Sequence, residues 1–106
     1  MKLEEHAWGD EICWAESANG ASGKLLHLNK GCIIPVASYD TNRKYYVHAG
    51  KIDIVFVKMS ADGIGEAQDH VEVRCAGSFY IAAHTFHAIL AEDATDILVL
   101  ETRETC

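Results

Sequence analysis

Glycine-containing turns recur along this chain at short intervals, and their spacing constrains the fold more than any other feature of the sequence. Between the turns lie short segments with the alternating or continuous apolar patterns that are typical of β-strands. No longer window carries the apolar stripe of an amphipathic helix. The sequence therefore predicts an all-β sandwich or barrel. The turns are Asn19-Gly20, Lys30-Gly31, Ala49-Gly50, Asp62-Gly63 and Ala76-Gly77, and the predicted strands cover about 11–15, 24–29, 33–38, 43–49, 51–58, 69–74, 78–82, 86–91 and 96–102.

Alternation within the predicted strands indicates which side chains share a face of a sheet. In the strand over 43–49, Arg43 and Tyr45 fall on one side and His48 falls on the other. The segment 97–100 is apolar on both sides, which predicts a central or doubly covered strand.

Length, charge and cysteine content limit the class of protein. At 106 residues the chain is predicted to be a single domain, 1–106, with its core over about 7–103. The net charge of −7 disfavours nucleic acid and an anionic membrane surface as partners, because both require a surface rich in Lys and Arg. The N-terminal segment lacks the apolar core of a signal peptide, and no apolar run approaches membrane-spanning length, so we expect a cytoplasmic protein. Without a secretion signal, the four cysteines are expected to be reduced.

Two stretches of the chain resemble the paired motifs of the cupins, which are small jelly-roll barrels. The first stretch runs from Gly31 to Gly50, and the second runs from Gly77 to His87. This resemblance implies an all-β, cupin-like jelly-roll β-barrel of two antiparallel sheets.

Within the cupins, the chain is most similar to the C-terminal domain of type II mannose-6-phosphate isomerases. That domain typically opens with a Trp-Gly pair, as Trp8-Gly9 does here. The resemblance also implies a homodimer, because cupins commonly pair through sheet faces and edge strands. We expect the segment around Trp8 and Trp14 to supply such an edge.

The metal-binding positions of the cupin motifs are where this chain departs from the family. The paired histidines of the family fall near Ser38 and Asp40, and its glutamate falls on Arg43. Only His87 matches, at the position of the fourth ligand. A divalent ion needs three or four nitrogen or carboxylate ligands, and a guanidinium at the glutamate position would repel it. We therefore expect no metal at the usual site and no cofactor.

Four residues are candidates for a ligand site in the barrel. His87 is the candidate catalytic residue, because imidazole titrates near neutrality, and its alternative role is a hydrogen-bonded core histidine. Arg43 could clamp a carboxylate or phosphate, or it could form a buried ion pair, for which Glu101 is the candidate partner. Tyr45 and Tyr80 could hydrogen-bond a sugar-like ligand or serve as core aromatic residues.

The other histidines are weaker candidates. His84 is three residues before His87, but it is predicted to lie in a turn, so the two do not form a convincing metal pair. His48 is expected to face away from the cavity, and His6 and His70 are expected at the surface.

Three functions from different classes remain open. The first is a metal-free cupin that binds a small polar or anionic ligand, a sugar or sugar phosphate, through the four candidate residues, with isomerase-like chemistry as an extension. The second is a divalent-metal cupin enzyme that combines His87 with Asp40, His84 or His27. The third is a non-catalytic structural or interaction module. A solvent-reachable cavity at Arg43 and His87 would favour the first, and a filled barrel without an opening would favour the third. We favour the first function, with a small molecule and a second copy of the chain as partners.

Overall fold

The computed structural model describes residues 2–16 and 21–103, and these residues form β-strands and turns. Within these ranges there is no helix, and hence none long and apolar enough to span a bilayer. The all-β prediction is confirmed. The strands are β1 (Lys2–His6), β2 (Gly9–Glu16), β3 (Ser22–Leu28), β4 (Ile33–Ala37), β5 (Asn42–Ala49), β6 (Lys51–Met59), β7 (Gly65–Arg74), β8 (Ser78–Ile81), β9 (His87–Leu90) and β10 (Thr95–Thr102).

The predicted strands correspond to β2 through β10, and β1 was not predicted. The sequence of β1, KLEEH, lacks apolar alternation, and all of its residues are exposed. Its strand conformation comes from antiparallel pairing with β2, in which Leu3 lies opposite Ile12. The predicted Asn19-Gly20 turn lies outside the described residues.

The strands form two antiparallel sheets. The six-stranded sheet has the order β1-β2-β3-β10-β5-β8, and the four-stranded sheet has the order β4-β9-β6-β7. Strand β10 lies between β3 and β5, so the prediction of a central strand over 97–100 is confirmed. Only one face of β10 is covered, because Ile97 and Val99 are fully buried whereas Leu100 is 44% exposed.

The hydrophobic core lies between the two sheets and is filled by alternate residues of the strands. On β5 the buried Arg43, Tyr45 and Val47 alternate with the exposed Lys44 and His48, as predicted. Burial of the apolar side chains in this core is the main stabilising contribution to the fold. The core cluster comprises Trp8, Leu26, Leu28, Ile34, Tyr45, Val47, Ile52, Ile54, Val73, Ile81, Ile89, Ala91, Ile97 and Val99.

The Trp8-Gly9 pair has a local physical role. Gly9 has a φ of 148°, and a Cβ atom at this position would lie 1.8 Å from the carbonyl oxygen of His27. Only glycine fits so close to a neighbouring strand. Trp8 is buried and stacks on the ring of His6 at 4.5 Å, so it is not an exposed edge residue, whereas Trp14 is 48% exposed.

The cysteines that the structure describes are not disulfide-bonded. Cys13, Cys32 and Cys75 are free, in agreement with the prediction of reduced thiols, and Cys106 lies outside the described residues. Partial burial and the neighbouring Glu16 raise the pKa of the Cys13 thiol. Cys13 is therefore not an activated nucleophile, since activation requires a lowered thiol pKa.

Candidate functional site

The barrel interior contains a chain of hydrogen bonds that links Arg43, Tyr45 and His87. Arg43 and Tyr45 both face inward from β5, and His87 begins β9 in the opposite sheet. Arg43 Nη1 lies 2.9 Å from Tyr45 Oη, and Tyr45 Oη lies 2.8 Å from His87 Nε2. The structure thus brings together three of the predicted site residues, which we call the barrel cluster.

The donors and acceptors of the barrel cluster have a defined order. His87 Nδ1 lies 2.8 Å from the carbonyl oxygen of Thr85, which can only accept, so Nδ1 carries a proton. Burial and the nearby charge of Arg43 lower the pKa of His87, and the hydrogen bond to the Thr85 carbonyl acts to raise it. The net effect is a pKa below the ordinary value, so the ring is neutral near pH 7. Nε2 then accepts from the Tyr45 hydroxyl, whose oxygen accepts from Arg43. Burial raises the pKa of Tyr45, which keeps its hydroxyl protonated.

A row of alternating charges continues from Arg43 along the inner face of the six-stranded sheet. Glu101 Oε1 lies 3.0 Å from Arg43 Nη2 and 3.0 Å from Lys24 Nζ, and Lys24 Nζ lies 3.7 Å from Glu11 Oε2. The predicted ion pair between Arg43 and Glu101 is confirmed. Burial acts to raise the pKa of Glu101, but Arg43 and Lys24 outweigh it, so this pKa is below its ordinary value. Two cations and two carboxylates alternate in the row, so their formal charges cancel.

The guanidinium of Arg43 is covered by Tyr39, which lies in the loop between β4 and β5. Arg43 Cζ is 3.8 Å from the centroid of the Tyr39 ring, and the carbonyl oxygen of Tyr39 accepts a 2.7 Å hydrogen bond from the backbone N–H of His84. Although Arg43 is only 4% exposed, its Nε has no hydrogen-bond partner among the described residues. A buried donor without a partner typically costs about 1–3 kcal/mol.

Tyr80 is not part of the barrel cluster, and its predicted place in the barrel is corrected. It lies opposite Lys44 in the β5–β8 pairing and is 56% exposed on the outer face of the sheet. Its neighbours Phe79 and Ile81 lie opposite Tyr45 and Arg43 and face inward. The period-two alternation already contained this signal, because Phe79 and Ile81 could not both face inward together with Tyr80.

The alternative metal ligands do not converge on His87. His84 lies in the turn before β9 with a φ of 65°, as its sequence position predicted, and its side chain is exposed. His27 lies on the outer face with its Nδ1 2.6 Å from Asp96 Oδ1. Asp40 is exposed, and its Oδ2 lies 3.5 Å from Arg103 Nη2.

The residues that the sequence resemblance assigns to the cupin metal-binding positions do not fit a divalent cation. Arg43 occupies the predicted glutamate position and directs a permanent positive charge into the barrel. Both nitrogens of the His87 imidazole already make hydrogen bonds, to Tyr45 and to the Thr85 carbonyl. A metal ligand needs a free nitrogen lone pair and further ligands around the same point. The donor set therefore supports no metal-dependent step.

Metal-ligating side chains meet elsewhere, on the β1–β2 hairpin. Glu4, His6 and Glu11 place ligand atoms within 4.8 Å of one another. Glu4 and His6 are exposed, and the ammonium group of Lys24 is already 3.7 Å from Glu11 Oε2. We assign no metal to this surface group, because exposed carboxylates with a cationic neighbour occur commonly without one.

Five cavities in the described part of the chain lie outside the barrel cluster. None of the five is lined by Arg43, Tyr45 or His87, so the solvent-reachable cavity that would favour a ligand site at Arg43 and His87 is not found among them. Two apolar grooves of about 350 Å³ and 340 Å³ lie on the outer face of the six-stranded sheet. Leu25 lines the first groove, and Trp14 and Leu100 line the second.

Solved structures with the same architecture include several cupins. An RmlC-like cupin from Shewanella frigidimarina is 13% identical, with a TM-score of 0.74 over 97% of this chain and 84% of its own. The cupin domain of Cnp3 from Schizosaccharomyces pombe is 11% identical, with a TM-score of 0.77 over 98% of this chain and 69% of its own. KdgF from Halomonas sp. is 11% identical, with a TM-score of 0.72 over 98% of this chain and 90% of its own.

These likenesses establish the fold of the chain. No family model matches it, and no curated protein is similar to it in sequence. The predicted cupin-type jelly roll of two antiparallel sheets is confirmed. The finer resemblance to mannose-6-phosphate isomerases stays a prediction.

Proposed function

We propose that this chain is a metal-free cupin that binds a small polar or anionic ligand, a sugar or sugar phosphate, through its barrel cluster. The observation that carries the proposal is the buried Nε of Arg43, which has no hydrogen-bond partner. An oxygen atom of a ligand would satisfy this donor and recover the cost of leaving it unpaired. The hydroxyl of Tyr45 and the imidazole of His87 are the neighbouring contact groups.

Access to the barrel cluster requires Tyr39 to move. Its ring lies over the Arg43 guanidinium, and its loop is held to the turn before β9 by the hydrogen bond to the His84 N–H. Loops open at lower free-energy cost than paired strands. Displacement of Tyr39 by a ligand would therefore leave the sheets unchanged.

His87 is the proposed catalytic residue if a reaction occurs. An isomerisation needs one group that removes a proton and one that returns it. Neutral His87 can accept a proton, but Tyr45 is a poor donor to a substrate because burial raises its pKa. We therefore propose binding and assign no reaction, and isomerase-like activity and a cytoplasmic location stay predictions.

A thermal-shift screen of sugars, sugar phosphates and divalent metals tests the proposal, because a ligand that binds only the folded state raises its Tm. We expect a member of the sugar classes to raise the Tm of the wild type and of Tyr46→Phe, whose hydroxyl lies on the outer face. The same ligand should raise the Tm of Tyr45→Phe less. Equal shifts in the two variants, or no shift with any sugar, would contradict the proposal. A metal-dependent shift that disappears in His87→Gln would favour a metal cupin instead.

A second candidate function is a non-catalytic interaction module that pairs with a second copy of the chain. Large apolar side chains are exposed on the outer face of the six-stranded sheet, and we call this set the outer apolar face. Large exposed apolar patches commonly mark interaction sites. A second copy suits the outer apolar face, because Lys44 and Asp10 on this face carry opposite charges and Asp96 is already hydrogen-bonded to His27, which limits repulsion between two acidic chains. The set comprises Leu3, Trp14, Leu25, Tyr46, Tyr80 and Leu100.

Light scattering coupled to size-exclusion chromatography tests the homodimer. We expect a dimer for the wild type and a monomer for Leu25→Glu, because a carboxylate at the interface centre would be desolvated without a partner. Ile64→Glu is the matched control, since Ile64 is 67% exposed in the turn between β6 and β7, away from the outer apolar face. A monomeric wild type, or dimers in both variants, would exclude this interface.

A further inference from the structure

We infer that the ligand of the barrel cluster is uncharged, and that a hydroxyl or carbonyl oxygen of a neutral sugar-like molecule contacts Arg43. This inference rests on the proposed function, because it specifies the class of ligand for the same site. It excludes the phosphate and carboxylate ligands that an arginine in a barrel would ordinarily suggest.

The charge of Arg43 is already balanced inside the protein. Glu101 Oε1 lies 3.0 Å from Arg43 Nη2, and it is shared with Lys24 Nζ at the same distance. Lys24 Nζ also lies 3.7 Å from Glu11 Oε2. The row of two cations and two carboxylates has no net formal charge. An added anion would therefore meet Glu101 without an unpaired cation to neutralise it, and burying an unpaired charge is strongly unfavourable.

The hydrogen-bonding groups of the Arg43 guanidinium also suit a single neutral oxygen. Bidentate recognition of a phosphate or carboxylate uses two parallel N–H groups of the guanidinium. Here Nη1 already donates to Tyr45, and Nη2 already pairs with Glu101. Nε is the nitrogen that makes no hydrogen bond, and it is buried. Nε–H can donate to one hydroxyl or carbonyl oxygen, whereas a bidentate pair would also need an N–H of Nη1 or Nη2, which already bond to Tyr45 and Glu101.

Besides its ion pair with Glu101, the Arg43 guanidinium is surrounded by aromatic side chains. The Tyr39 ring covers Arg43 at 3.8 Å, and the Tyr39 and His87 rings are 5.7 Å apart. Aromatic walls with a few convergent polar groups are typical of sites for neutral small molecules.

The experiment compares matched pairs of probes that differ only in a phosphate, namely neutral hexoses and the same hexoses as 6-phosphates. Calorimetry at low ionic strength gives the affinity of each probe for the wild type and for Glu101→Gln. We expect the wild type to bind a neutral hexose at least about tenfold more tightly than its phosphate. Glu101→Gln keeps the shape of the side chain and removes its charge, so the phosphate should gain at least about tenfold in affinity. Glu92→Gln, at an exposed position between β9 and β10, is the control and should keep the wild-type preference.

The possible outcomes separate this inference from the proposed function. If the phosphate binds the wild type more tightly than the neutral hexose, the inference is overturned and the proposed function stands. If no member of any pair binds, the proposed function falls, and the inference falls with it. Should Glu101→Gln not fold, as checked by circular dichroism, Glu11→Gln replaces it. That variant removes the next carboxylate of the row and should shift the preference in the same direction by a smaller factor, and an unchanged preference overturns the inference.

Discussion

The two faces of the six-stranded sheet each depart locally from the usual pattern. An antiparallel sheet with one solvated face normally places apolar residues inside and polar residues outside. Here the inner face carries the charge row that includes Arg43 and Glu101, and the outer face exposes Trp14, Leu25 and Leu100. Buried charges and exposed apolar side chains both lower the stability of a fold. Such departures are therefore expected mainly at functional sites. The six-stranded sheet therefore has two separate candidate functional regions, the barrel cluster and the outer apolar face.

Neighbouring residues on one strand allow the two faces to be compared with little change in surroundings. Glu101 faces the barrel and Leu100 faces solvent on β10. Tyr45 faces the barrel and Tyr46 faces solvent on β5. In each pair, a substitution of the inner residue can be compared with a control substitution of its outer neighbour.

The largest difference is expected between Glu101→Ala and Leu100→Ala. Loss of Glu101 leaves the buried Arg43 without its counter-ion, which should lower the free energy of unfolding by about 3–5 kcal/mol. Leu100 is 44% exposed, so Leu100→Ala should lower it by about 1 kcal/mol or less. Urea denaturation at pH 7 measures both values. Similar losses in the two variants would show that the charge row does not stabilise the fold.

A smaller difference is expected between Tyr45→Phe and Tyr46→Phe. The first change removes the hydroxyl that bridges Arg43 Nη1 and His87 Nε2, and leaves both without this partner. We expect a loss of about 1–3 kcal/mol for Tyr45→Phe and about 0.5 kcal/mol or less for Tyr46→Phe. The imidazole resonances of His87 in NMR spectra should shift only in Tyr45→Phe. If neither variant moves them, the hydrogen bond between Tyr45 and His87 does not exist in solution.

The pH dependence of the free energy of unfolding should show the effect of burying His87. Because burial lowers the pKa of His87, the unfolded chain takes up a proton at a higher pH than the folded protein does. The contribution of His87 is therefore complete above about pH 6.5, the pKa of an unperturbed histidine, and is lost as the pH falls below it. Urea denaturation between pH 8 and pH 5 should show a flatter profile for His87→Gln than for the wild type. A wild-type slope in His87→Gln would contradict the prediction.

The smallest effect is expected for Tyr80→Phe, which tests the corrected position of Tyr80. Its hydroxyl lies on the outer face, opposite Lys44 in the pairing of β5 with β8. We expect the free energy of unfolding to change by about 0.5 kcal/mol or less. The Tm increase caused by any barrel ligand should be the same in Tyr80→Phe as in the wild type. A smaller increase in the variant would show that Tyr80 contributes to the ligand site.

Several features of the site could be predicted from local patterns. The ion pair of Arg43 with Glu101 was anticipated, because an inward cation must be neutralised and Glu101 is on the last strand. Lys24 could not be placed, because a shift of one residue in the register moves a side chain to the opposite face. The observed pairing of Lys24 with Val99 fixes the register and directs Lys24 to Glu101. The covering position of Tyr39 had no signal, since loops lack a periodic pattern.

The sequence by itself determined most of the strands, their faces and the all-β class, because period-two alternation and glycine turns act over a few neighbouring residues. Strand β1 was not predicted, because its conformation depends on the pairing with β2 and not on a local pattern. Only the tertiary structure decided the site. Tyr45 and His87 are 42 residues apart and belong to different sheets, and their hydrogen bond exists because the two sheets pack face to face. Local sequence patterns do not encode that packing, because it depends on strand order and register over the whole chain.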